Sequence, residues 1–116
     1  MNNSLILNKV TLTVNINGVD YSFVADHEFA LKISSLAKEA EKRAEFCAFI
    51  GCDDFYEASK FLSYAVDTLI GEGSSFKIFG TDFPDPIDIC DVLGLIADVF
   101  HSYRRERIYS IKGDRV

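Results

Sequence analysis

From Val10 the chain alternates in polarity: Leu12, Val14 and Ile16 are apolar, and Thr11, Thr13 and Asn15 between them are polar, the period of a half-buried strand. Asn17-Gly18 interrupts the alternation with the dipeptide that best tolerates the positive φ angles of a tight turn, and Val19, Tyr21 and Phe23 resume it. The pattern predicts a β-hairpin over about 9–24. Two strands alone are marginal in water, so its apolar face must lie on helices or meet another copy.

The period then changes to that of a helix. Phe29, Ile33, Leu36, Ala37, Ala40 and Ala44 recur at helical spacing behind Asp26, a good capping residue, and Glu28, which suits the positive end of the dipole; a helix over 27–49 is expected. Its other face, with Lys32, Lys38, Glu39, Glu41, Lys42 and Glu45, reads as solvated surface. Gly51 breaks the run, and Asp54 with Glu57 has the spacing of a capping box for a second helix over 54–70. Phe55, Ala58, Phe61, Leu62, Ala65, Val66 and Leu69 give this second helix a broad apolar stripe, which places it centrally in the core, and Gly71 stops it. A short helix over 74–79 follows between glycines, with Phe76 and Phe79 expected to face inward. Asp85-Pro86 starts a fourth helix over 86–105, buried along Ile89, Leu93, Ile96, Phe100 and Tyr103; Arg104, Arg105 and Arg107 suit its negative end, and a flexible tail is expected over 108–116. The fold class is α+β: one domain spanning 1–116, an N-terminal antiparallel hairpin packed on three main helices and one short one.

Composition agrees with a real core and narrows the function. The 116 residues are 48% hydrophobic and include ten Phe and five Tyr, too apolar for a disordered chain. No apolar run is long enough to span a bilayer and the N-terminus lacks the features of a signal peptide, so a cytoplasmic location is expected. Cys47, Cys52 and Cys90 form no CxxC pair and read as reduced thiols. The net charge of −6 is uneven, because residues 1–99 hold 7 basic and 16 acidic side chains against 5 and 2 in residues 100–116. An acidic body repels a phosphate backbone, so nucleic acid is not an expected partner.

Chemistry is sparse. His27 at a helix start and His101 near a helix end sit in no catalytic motif. Asp82, Asp85, Asp88 and Asp91 match no calcium-loop spacing and read as capping and exposed carboxylates; Gly71-Glu72-Gly73 lacks the strand before and the Lys-Ser/Thr after that a phosphate loop needs. No enzyme activity, metal or cofactor is expected.

Gly71-Glu72-Gly73 ahead of an aromatic, then Lys77-Ile78-Phe79-Gly80, a proline-containing loop and an acidic helix start, resemble the tail assembly chaperones and related small tail proteins of phages and prophages of Gram-positive bacteria. The order of elements from about Val10 to Tyr103 is similar too, whereas the Cys47–Cys52 joint and the basic end Arg104–Arg107 depart from the pattern. The resemblance implies a non-catalytic protein that holds the long, coiled-coil-prone tape measure protein soluble while a tail is built. On that reading Phe76, Ile78 and Phe79 are the candidate protein-binding patch, with Tyr21 and Phe23 as second choice; the alternative is that all five are core. Two other functions stay open: a structural tail or head–tail connector protein forming a homo-oligomeric ring through the hairpin edge, and a small regulatory binding module using the basic tail.

Overall fold

The computed structural model describes the backbone of residues 3–4, 9–50 and 55–113. Two strands, β1 (Thr11–Ile16) and β2 (Val19–Val24), precede four helices: α1 (His27–Ile50), α2 (Phe55–Ile70), α3 (Ser74–Phe79) and α4 (Pro86–Gly113). This is the expected α+β architecture.

The strands pair antiparallel in the register Leu12↔Phe23, Val14↔Tyr21 and Ile16↔Val19, which puts the apolar positions of both on one face. Asn17 and Gly18 both take positive φ, 54° and 81°, as a two-residue hairpin turn requires. The Asn15 side chain accepts from the Gly18 amide and donates to Asp20, pinning the turn.

The sheet's apolar face is covered within the chain. Phe23 stacks flat on Phe29 at the start of α1, with ring centroids 4.4 Å apart, and Phe29 in turn meets Phe100 of α4 at 5.0 Å. Val14, Ile16, Tyr21, Leu62, Val66, Leu69, Ile89, Ile96 and Phe100 complete one core, so α2 is central as its stripe implies. Burying each of the larger side chains contributes about 1.5–3 kcal/mol, which is what makes a lone hairpin viable here.

Capping follows the expected chemistry at α1 and α4, where Asp26 Oδ1 accepts from the Phe29 amide and Asp85 Oδ1 from the Ile87 amide, both at 2.9 Å. Asp54, the proposed cap of the second helix, lies outside the described residues. α3 begins at Gly73, which has no side chain to offer; Asp67 of α2 supplies the missing acceptor, taking the Ser75 amide at 2.8 Å.

Two expectations are corrected. α4 continues to Gly113 instead of ending near Arg105, so the segment expected to be a flexible tail from 108 is helical as far as 113. Between Arg104 and Lys112 no Gly or Pro interrupts the helix, and Arg, Glu and Ile are compatible with it. The arginines therefore lie within the helix, not on its final dipole end. In α3, Phe79 is half-buried but Phe76 is 56% exposed, while Ser74 and Ser75 face inward. Small serines let α3 lie close on α2, where Ser74 Oγ donates to the Ile70 carbonyl.

Candidate binding groove between the long helices

α1 and α4 both pack on α2 and line its groove in opposite chain directions; among the described residues they approach each other less closely than either approaches α2, apart from the Phe29–Phe100 contact. Side-chain size explains the gap. Where the two helices come level, α1 offers Ala37 and Ala40 and α4 offers Gly94 and Ala97, too short to close the space above α2. A groove of ≈ 320 Å³ results, floored by Leu62, Ala65 and Leu69 and, among the described residues, lined without a charged one. A Cβ built on Gly94 meets no atom within 4 Å, which shows how open the groove is there.

Ile33 and Ala37 also line a second, wider cleft of ≈ 630 Å³, so the depression continues along the helix pair toward the C-terminal part of α4. The chemistry changes along it. Lys38 on one wall and His101, Arg104 and Arg105 on the other make this end cationic, and among the described residues no carboxylate lines it. Arg104 lies over the Phe100 ring at 5.8 Å, which holds its guanidinium at the cleft.

Cys90 sits at the apolar end. Partial desolvation, and secondly the neighbouring Asp91 carboxylate, push its thiol above the usual cysteine range. It is free and exposed. Among the described residues no group of three or more His, Cys, Asp or Glu could hold a metal ion, and no helix is long and apolar enough to cross a membrane.

The five residues singled out in the sequence do not form one exposed patch. Tyr21 and Phe23 are core, 8% and 5% exposed, and Ile78 and Phe79 are half-buried against it. Only Phe76 points to solvent. The structure brings the hairpin and α3 together for packing: Asn17 Nδ2 donates to the Ile78 carbonyl at 3.3 Å, and Lys77 Nζ lies 5.6 Å from the centre of the Tyr21 ring. A different exposed aromatic pair exists at the other end of α2, where Tyr56 and Phe83 meet edge to face at 5.0 Å.

The α1 and α2 lining falls on stripes that the sequence assigns to packing, and on α4 the large side chains alone mark the stripe, which leaves Cys90, Gly94 and Ala97 outside it. The signal was present in Cys90, Gly94 and Ala97, a run of small residues one position round the helix from Ile89, Leu93 and Ile96. Comparison with protein-family models, with curated proteins and with solved structures finds no match.

Proposed function

We propose that this chain is a non-catalytic tail morphogenesis protein of a phage or prophage, an assembly chaperone that binds the tape measure protein in the bacterial cytoplasm. The observation that carries the reading is the open apolar groove along α1 and α4, floored by α2. The groove leaves Ala37 and Gly94 exposed and Leu93 half-buried above a floor of core leucines, and an apolar depression between helices is a place where a partner can be seated. Its shape suits a helix, and a tape measure protein is a long helical one. The motif from Gly71 to Gly80 supplies the family context; its glycines bound α3, at positive φ in Gly73 and Gly80, and fix the segment that supports the hairpin.

A tagged chain coexpressed with the products of the genes beside its own tests the proposal. Capture of a long helical neighbour, in a complex whose mass by light scattering is a defined multiple, is the expected result. Failure to capture any such protein, with the chain instead forming a discrete ring by itself and appearing in purified virions by mass spectrometry, would replace the chaperone reading with that of a structural component.

A further inference from the structure

The lining of the groove has a period as well as a polarity. On α4 it recurs at Cys90, Gly94, Ala97, His101, Arg104 and Ile108, steps of four and three in alternation; on α1 it recurs at Ala30, Ile33, Ala37 and Ala40. With Leu93, Phe100 and Arg105 of α4 and Ser34, Leu36 and Lys38 of α1 beside them, these positions mark the face that each helix turns to the groove. Two antiparallel seams over an apolar floor make three sides of a four-helix bundle whose fourth position is open.

We propose that this position receives a single amphipathic α-helix of another protein, its aliphatic stripe seated between Ala37, Ala40, Gly94 and Ala97 and its carboxylates beside Lys38, Arg104 and Arg105. The seam from Cys90 to Ile108 covers 19 residues, or 18 rises, so the occupant spans about 27 Å, or five turns. Small residues on both walls set a close helix–helix approach, which selects aliphatic over aromatic side chains. The cationic end sets the direction of the charge: Lys38 faces the cleft from one wall and Arg104 and Arg105 from the other, so carboxylates on the occupant complement them and lysines there would be repelled.

A second copy of this chain fits the position less well. Among the described residues, α2 buries its apolar stripe in the core and carries the bulky Tyr56 and Tyr64 on its outer face, α3 is only six residues long, and the exposed Ile108 and Tyr109 of α4 are flanked by Arg104, Arg105 and Arg107, which would meet the cations of the cleft. The inference rests on the chaperone reading for the identity of the partner, and it adds which surface is used and which helix chemistry it accepts.

The test uses synthetic helical peptides of about five turns, with leucine and alanine at the seam positions and glutamates over the last two turns, and a control with lysines there instead. Binding to the full chain is read by fluorescence anisotropy of the peptide. The glutamate peptide is expected to bind at least about tenfold more tightly than the lysine peptide, with the difference shrinking in salt. Gly94→Leu, which fills the groove from a position where an added Cβ meets nothing within 4 Å, is expected to weaken the glutamate peptide at least about tenfold with no fall in melting temperature. The double variant Arg104→Glu/Arg105→Glu alters only exposed residues and is expected to reverse the peptide preference. Equal binding of both peptides, binding of neither, undiminished binding to Gly94→Leu, or a wild-type dimer that Gly94→Leu dissociates would overturn the proposal. The same variants separate it from the chaperone reading. A helical neighbour captured equally well by Gly94→Leu keeps the chaperone and removes the groove; peptide binding without any captured neighbour keeps the groove and removes the chaperone.

Discussion

Gly94 is the residue whose replacement tests the open groove most directly. It lies inside α4, has a helical backbone, and a methyl group placed on it touches nothing within 4 Å. Glycine in a helix interior costs about 0.8–1 kcal/mol relative to alanine, mainly through the freedom it has in the unfolded chain. With no clash to subtract, Gly94→Ala is expected to stabilise the protein by about 1 kcal/mol. For 116 residues an unfolding entropy of about 2.1 cal/mol/K per residue converts that to a rise of about 4 °C in the melting temperature. Thermal unfolding followed by circular dichroism, with urea unfolding to confirm an unchanged m-value, measures it. A fall in melting temperature would refute the reasoning, because it would mean that some group already occupies the space above Gly94 and that the groove is closed in solution. A gain in stability, by contrast, means that glycine here sacrifices stability for space, which is expected where function needs a close approach.

Other predictions concern the core, the loops and the thiol. Phe100→Ala removes a ring that is 1% exposed and packs on Phe29, and should cost about 3–5 kcal/mol in urea unfolding; a loss below about 1 kcal/mol would mean that hairpin, α1 and α4 do not share one core. Ser59→Ala strips the buried Pro84 carbonyl of its hydroxyl donor at 2.7 Å and should cost about 1–3 kcal/mol, where an unchanged midpoint would show that the loop before α4 is not anchored there. Gly18→Val places a β-branched residue at φ 81° and should destabilise the hairpin by at least about 1 kcal/mol, read as a lower melting temperature, with no loss expected if the turn relaxes to another type. Cys90 should alkylate more slowly than an unhindered thiol at neutral pH in a Cys47→Ser/Cys52→Ser background. Both desolvation and Asp91 disfavour the thiolate, so its rate should keep climbing at pH values where an ordinary cysteine has levelled off; a rate equal to that of a free thiol throughout would contradict that environment.

The resemblance to tail assembly chaperones and the physical reading of the groove are independent lines. The first comes chiefly from the motif around α3 and the second from the walls of α1 and α4, and no residue of Gly71–Gly80 lines the groove. Phe76 is the point where they differ most, since the motif makes it a candidate contact and the structure leaves it exposed on α3, away from the groove lining. A Phe76→Ala variant that loses the partner while Gly94→Leu keeps it would place binding on α3.

The elements were legible in the sequence where local physics decides them. Alternation with Asn17-Gly18 specifies the hairpin and its register, since a slip by one residue would turn Val14 and Tyr21 to solvent. Asp26 and Asp85 mark helix starts because an amide without an acceptor needs one nearby, whatever the rest of the chain does. Ile89, Ile96 and Phe100 were recognisable as core from spacing and size alone.

Tertiary structure decided the rest. Whether Phe76 or Ser75 faces inward depends on how closely α3 rests on α2, and Asp67 from another helix makes that choice. Likewise, Ala37 lies on an apolar stripe that the sequence assigns to packing and Gly94 lies beside one, but burial depends on what stands opposite. Two stripes of small residues facing each other across α2 leave a space, and neither stripe reveals it by itself. Helical period is a property of one segment, whereas an unfilled groove belongs to the distance between two.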